Sequence, residues 1–474
     1  MGYIAASLNR EGEDASETIL AMLRAASPNK NHIIGVANHR DSEINKNPDF
    51  TSLTGSVLLA KRNIFPERYP PEPRHQENHS LSFNGILLDT EEPDTLSAAN
   101  TLRGNPSKGI ETLITERTGA YTVVVATRDS IIAGLDYIGT VPLYYGENKE
   151  TKALSSNQKA LWAVGIEAEP VKPGQIIKIT EKETKVNQVK TLEKKQSHLT
   201  DVETLHQIMN KITKAYAVKT PRATVAFSGG IDSVLTAYYL QRNNVRLELI
   251  WTGLENQREE NIAVEAAKHL GLRIHTDTYT IEDVEEAMDS VITSIEDPHP
   301  VKTGIAYPFH WTASKTHRLG YTTMYSGNGA DELFAGYMKY LDKYLGGDDP
   351  RDDIYNDIIN SYVKNFHRDH KTCLDQEVRL LLPFTHPRLV EYGLSIPLNQ
   401  KLPDNRQDPR KKILRELAKN IGIPDKLANR PKKAAQYSSG VNKALVKIAK
   451  KHGLRLREYT TEKYQRIKKE FSRE

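Results

Sequence analysis

Near residue 200 the hydrophobic pattern changes character, and this change limits the available folds more than any other feature. From about 30 to 190 the apolar segments are short and bounded by turn residues: HIIGVANHR, GSVLLAKR, SLSFNGILL, GAYTVVVATRDSIIAGLDYIG, LYYG and GQIIKIT. Such runs predict strands, and many strands with few helical patterns predict a largely antiparallel, sheet-rich first part. The polar stretch at 180–198, TEKETKVNQVKTLEKKQSH, has little apolar periodicity and reads as a linker or surface excursion. After 200, strand and helix patterns alternate: TVAF with SVLTAYYLQ, RLELIWT with REENIAVEAAKHLG, RIHTDTY with IEDVEEAMDSVITSI, and TTMYS with ADELFAGYMKY. Alternation of this kind predicts a parallel, doubly wound α/β sheet. Beyond 340 the sequence is mostly helical, with KKILRELAKNIG its clearest amphipathic segment. Two domains are expected, 1–190 and 200–474, because 474 residues exceed one ordinary core.

Composition excludes several functions. Charge is nearly balanced, 65 Lys and Arg against 61 Asp and Glu, which argues against nucleic acid as a partner. Residues 441–474 concentrate the surplus, eleven Lys or Arg against four Glu, but Val441, Leu445, Ile448 and Leu454 recur at helical spacing between the lysines. A packed helix with a solvated basic face is expected there. One cysteine, Cys373, cannot form an internal disulfide, which favours a cytoplasmic protein. No stretch approaches the ~20 apolar residues of a membrane span, and the amino terminus lacks the basic and apolar regions of a signal peptide.

Two loops carry the chemistry. Residues 228–233, Ser-Gly-Gly-Ile-Asp-Ser, follow an apolar strand ending in Phe227 and open a helix. Small residues there let backbone N–H groups approach an anion, so a phosphate fits. The second loop, residues 326–337, reads Ser-Gly-Asn-Gly-Ala-Asp-Glu-Leu-Phe-Ala-Gly-Tyr, again between strand and helix. In a doubly wound sheet both loops fall at the carboxyl ends of strands and should meet. Either loop alone is also compatible with a simple capping turn.

The first loop resembles the ATP-pyrophosphatase motif SGGxDS, and the second resembles SGEGADELFGGY of the asparagine synthetases, archaeal-type members in particular. That resemblance implies a carboxyl-terminal ATP-pyrophosphatase (adenine nucleotide alpha hydrolase-like) domain with a helical end. It implies that ATP is cleaved between the α and β phosphates to give an acyl-adenylate. Carried over by position, Phe227, Ser228, Gly229, Gly230, Asp232 and Ser233 would hold the nucleotide, with Thr252, Ser326, Gly327 and Lys411 of KKILRE. Asp232 and Asp331 would share Mg²⁺, which suits carboxylates placed beside phosphates. Lys432 of Arg-Pro-Lys-Lys, with Lys433 as alternate, would neutralise the developing charge, and Asn328 would orient the attacking nucleophile.

The first part also resembles a family, the class II glutaminases, through Phe83-Asn84-Gly85 and the segment DYIGTVPLYY at 136–145. An Ntn-hydrolase-like αββα sandwich is implied, with Asn84 and Gly85 as a vestigial oxyanion hole. Its nucleophile would be an amino-terminal cysteine, but position 2 is glycine and Ser7 is no substitute. Glutaminase activity is therefore expected to be absent, with free ammonia or a separate glutaminase as the nitrogen source. Three departures surround the acceptor: Asn328 replaces a glutamate, Gly304 an arginine, and His386 an aspartate. His310 and His386 are expected to be structural. The resemblance implies an ATP- and Mg²⁺-dependent ligase making asparagine from aspartate and ammonia. The alternatives are an adenylating ligase with another acceptor, as in β-lactam synthetases or lasso-peptide cyclases, and a nucleotide-binding regulatory protein without turnover. The oligomeric state, a homodimer included, stays open.

Overall fold

The apolar run at 119–126 is covered on both sides. In the strand Gly119–Ala126, Val124 and Ala126 enter one core while Tyr121, Val123 and Val125 enter another. Alternate residues therefore change face without changing polarity. The first core joins two antiparallel sheets, with Ile4, Ala6 and Leu8 of the strand Gly2–Asn9 meeting Val124, Ile131, Ala133 and Leu135. The second joins the outer face of one sheet to the helices Asp94–Leu102 and Pro106–Glu116. On the other sheet the helix Ser16–Ala26 packs against the strands Gly2–Asn9 and Val57–Asn63, beside Gln158–Trp162. These four layers form an Ntn-hydrolase-like αββα sandwich, as the resemblance implies.

This computed structural model describes all residues except 28, 30, 48–49, 66–68, 196–199, 431–438 and 473–474. The described chain divides into two units: Met1–Thr191 with Phe366–Lys371 and Thr461–Glu474, and Leu192–Asn365 with Thr372–Thr460. In the first, the seven-stranded sheet has Gly2–Asn9 near its centre and the six-stranded sheet ends on Thr184–Gln188. That last strand lies in the stretch expected to be a linker. It hydrogen-bonds to Gln175–Thr180 as an edge strand, which needs backbone pairing but no apolar face.

The second unit holds a five-stranded sheet in the order Ile274–Tyr279, Arg246–Leu254, Arg222–Ala226, Thr323–Tyr325, Arg379–Leu381, with every pair parallel. Counted along the chain the order is 3-2-1-4-5, so the direction of winding reverses between Arg222–Ala226 and Thr323–Tyr325. Crevices for ligands open at such a switch point. The predicted helix over 330–340 is two pieces, Ala330–Leu333 and Met338–Leu345, separated by Ala335 in a left-handed conformation. The helix Pro300–Arg318 carries Pro308 inside it, and the Gly304 carbonyl, one turn earlier, is the one that Pro308 cannot bond. The basic helix Val441–Lys451 buries Val441, Ala444, Leu445, Ile448 and Ala449 against Ile281–Ile295 and Pro300–Arg318, and exposes its lysines. Among the described residues no helix is long and apolar enough to cross a membrane.

Candidate active site

The first loop occupies the switch point. Gly229 has φ +68, and a Cβ on it would lie 2.9 Å from Ala263 Cα, so backbone conformation and the approach of the helix Arg258–Leu270 both require glycine. The helix Ile231–Arg242 begins at Gly230 with no side-chain cap on its first turn. Its leading N–H groups and the positive end of its dipole are thus available to an anion. Ser228 is exposed beside them, its Oγ accepting from Gly230 N–H at 3.3 Å, while Ser233 Oγ donates to the Gly230 carbonyl at 3.0 Å. Phe227 is buried and its N–H donates to the Ile250 carbonyl, anchoring the loop to the sheet.

Adjacent strands bring the second loop against the first. A Cβ on Gly327 would lie 2.8 Å from the carbonyl carbon and Cβ of Asp232, so any side chain there would separate the loops. Ser326 Oγ donates to Asn328 Oδ1 at 3.0 Å, which holds the amide within its own turn. Glu332, next to the predicted metal carboxylate, faces elsewhere: it is buried and accepts from Tyr337 Oη at 2.6 Å and Asn365 Nδ2 at 2.7 Å, and burial pushes its pKa up.

The two aspartates converge on one cation. Lys411 Nζ lies 2.6 Å from Asp232 Oδ2 and 2.7 Å from Asp331 Oδ1, and its side chain is only 2% exposed. An amphipathic helix would send this lysine to solvent. Instead Lys411 precedes the helix Lys412–Asn420 in a left-handed conformation, φ 61 and ψ 44, which turns its stem inward. Burial lowers its pKa against the opposing pull of Asp232. Gly336 closes the far side: a Cβ there would lie 2.0 Å from Asp331 Oδ1 and 2.4 Å from Lys411 Cε.

Arg415, not singled out from the sequence, works one turn further along. It is buried, and its Nη1 donates to the carbonyls of Ala428 and, at 3.0 Å, Arg430; burial lowers its pKa to about 10. On the far side of residues 431–438, Leu254 N–H donates to the Ser439 carbonyl at 2.8 Å. Both flanks of that segment are therefore tied to the site's own elements. Lys432 and Lys433, expected to neutralise developing charge, lie outside the described residues.

Thr252 lies two residues before the end of the strand Arg246–Leu254, its buried Oγ1 donating to the Pro308 carbonyl at 3.3 Å and lying 3.1 Å from Thr312 Oγ1. His386 caps the helix Pro387–Ser395, Nδ1 accepting from Arg388 N–H at 3.2 Å, and burial depresses its pKa to about 4. His310 is also lowered by burial and lies 3.3 Å from Gln376 Nε2. Among the described residues no group of three or more His, Cys, Asp or Glu is placed to hold a metal ion. Two carboxylates sharing one cation still make a donor pair that phosphate oxygens can complete.

In the first unit, Asn84 Nδ2 donates to the Gly2 carbonyl at 2.7 Å, so the predicted oxyanion-hole amide does meet position 2. Asp136, buried and pushed up to about 6 by desolvation, accepts from the N–H groups of Tyr121, Ile138 and Gly139. Position 2 has no room for a side chain, since a Cβ would lie 1.9 Å from the Arg62 carbonyl oxygen. The Arg62 guanidinium is itself fixed by the carbonyls of Leu23, Ser27 and Asn29. Ser7 Oγ is buried, on the face opposite Ile4, Ala6 and Leu8.

Fold and site together define a protein with two loops meeting at the switch point of a parallel α/β sheet in one unit and an αββα sandwich in the other. The sequence model described as asparagine synthase matches residues 205–373 and 346–471, more than half of the chain, and the chain belongs to that family. It is 27% identical over 386 residues to a putative glutamine-hydrolyzing asparagine synthetase 1 of Methanocaldococcus jannaschii, covering 70% of this chain and 71% of that protein. Against asparagine synthetase B of Escherichia coli the identity is 24% over 340 residues, with 68% of this chain and 60% of that protein covered. A solved glutamine phosphoribosylpyrophosphate amidotransferase from B. subtilis overlaps 68% of this chain and 80% of its own, with 13% identity and a TM-score of 0.36.

Proposed function

We propose that this chain is an ATP-dependent carbon–nitrogen ligase that makes asparagine from aspartate and ammonia. The observation that carries the reading is the convergence of Asp232 and Asp331, from loops on neighbouring strands, on a single cation beside an uncapped helix start. The β-carboxylate oxygen of aspartate attacks the α-phosphorus of ATP, and the bond to the bridging oxygen breaks to release pyrophosphate. Ammonia then attacks the acyl carbon, AMP leaves with the electron pair of the C–O bond, and one proton is lost to give the amide. The N–H groups opening Ile231–Arg242, with Ser228 and Ser233, hold the leaving pyrophosphate. Mg²⁺ between Asp232, Asp331 and the phosphates would neutralise charge on that leaving group. Lys432 is assigned to the same charge by resemblance of its segment alone. Gln-dependent synthesis is not part of the reading: Gly2 supplies no thiol, and Cys373 is buried in the other unit. Asn328 favours a second reading for the final step, with an amine of another class as acceptor, because its amide has no proton to titrate.

The test is to incubate pure protein with ATP, Mg²⁺, aspartate and ammonium. AMP, pyrophosphate and asparagine in equal amounts are expected. ADP in place of AMP would overturn the mechanism, and an amide formed with an amine other than ammonia would decide for the second reading.

A further inference from the structure

We infer that Lys411 is the resting counter-cation of the Asp232–Asp331 pair, and that the divalent cation binds there only together with nucleotide. This rests on the ligase reading above and concerns the order in which its ligands can enter. Lys411 Nζ already takes the position between the two carboxylates, 2.6 Å from Asp232 Oδ2 and 2.7 Å from both Asp232 Oδ1 and Asp331 Oδ1. A divalent ion on the same oxygens would sit at about 2.0–2.1 Å from them. It would thus lie within van der Waals distance of the ammonium, and two cations cannot share that space.

What happens to the displaced ammonium decides the order. Its side chain is 2% exposed, and the Arg415 guanidinium beside it is buried too. Metal entering alone would strip the buried Lys411 of both its ion-pair partners, leaving only the field of Glu332, with which it forms no ion pair, and this is strongly unfavourable. Metal entering with ATP brings phosphate oxygens to the uncapped start of Ile231–Arg242, and these give the ammonium a new anionic partner within reach of its stem. The backbone supports an exchange of this kind. Lys411 is held in a left-handed conformation that side-chain-bearing residues avoid, and Gly336 packs directly on its Cε. Its present position therefore depends on the two ion pairs and is weakened once they are traded.

The experiment measures metal without measuring turnover. Mn²⁺ retained with the whole protein on ultrafiltration is counted with and without α,β-methylene ATP, for the native chain, Lys411→Met, Lys411→Gln and Lys411→Met/Asp331→Asn. For the native chain, Mn²⁺ affinity is expected to rise at least tenfold when the analogue is present. Either single variant should bind Mn²⁺ without nucleotide at least tenfold more tightly than the native chain, and the double variant should lose that gain. Equal binding by the native chain with and without analogue would overturn the inference while leaving the ligase reading intact, and this arm needs no variant to fold. Single variants that bind no better than the native chain would also overturn it. Absence of Mn²⁺ from every protein even with analogue present would remove the ligase reading and the inference with it.

Discussion

Replacing Gly336 with alanine tests the geometry of the paired loops with one methyl group. The added Cβ would lie 2.0 Å from Asp331 Oδ1 and 2.4 Å from Lys411 Cε. Ordinary C···O contact begins near ~3.3 Å, so one partner must retreat by about 1.3 Å. Neither is a free end: Asp331 Oδ1 is paired with Lys411, and the Gly336 N–H donates to the Asp331 carbonyl at 2.7 Å. Overpacking of this kind costs about 1–3 kcal/mol, against about 0.4–1 kcal/mol gained by restricting the unfolded chain. The net is a loss of up to about 2.6 kcal/mol, and at about 2–4 °C per kcal/mol for a unit of this size Tm should fall by up to about 10 °C. Catalysis should suffer more, because displacing a positioned group by ~1 Å costs on the order of 10²-fold. Aspartate-dependent ATP–pyrophosphate exchange measures the second effect and differential scanning calorimetry the first. A Gly336→Ala protein with native Tm and native exchange rate would refute the placement of Asp331 and Lys411 described above.

Asp331→Asn should lower pyrophosphate exchange by about 10²- to 10³-fold, the usual loss for one electrostatic contact to a transition state, while far-ultraviolet circular dichroism stays unchanged. Gly2→Cys should yield no glutamate from glutamine and should destabilise the first unit by about 1–3 kcal/mol, because the new Cβ meets the Arg62 carbonyl at 1.9 Å; glutamate release would count against the steric argument. His386 supplies a pH dependence. Burial holds its folded pKa near 4, below the unfolded value, so the unfolded chain takes up the proton first. Its stabilising contribution is therefore complete above pH ~6.5 and is lost as pH falls toward ~4, by about 3 kcal/mol in full. His386→Asn keeps a cap acceptor, and urea unfolding between pH 7 and 4.5 should show a shallower loss; an unchanged slope would contradict the assignment.

Much of the second unit was legible because its physics is local. Apolar strands followed by amphipathic helices fix a parallel sheet, and a parallel sheet fixes where SGGIDS and SGNGADE fall, so their meeting follows from the pattern of strands and helices alone. Lys411 was readable as a site residue but not in its role. Helical spacing sends a lysine of KKILRE to solvent, and only a left-handed residue just before the helix turns it inward. The helices Asp94–Leu102 and Pro106–Glu116 went unseen among segments read as strands because Ser, Thr, Asn and Ala give weak periodicity. Asn105 followed by Pro106 was nevertheless a cap signal, and Asn105 does accept from Lys108 N–H. The polar strand Thr184–Gln188 had no such signal, since an edge strand is held by backbone pairing alone.

The ion pair between Asp232 and Lys411 joins groups 179 residues apart in sequence. A ribosome adding about 5–20 residues per second needs roughly 10–40 s to travel from one to the other. Throughout that interval the phosphate loop can be finished while its cation has yet to be made, and a nascent chain stopped before residue 411 presents two carboxylates with nothing between them. The two loops and the cation between them are therefore complete only after residue 411 has been added, late in synthesis.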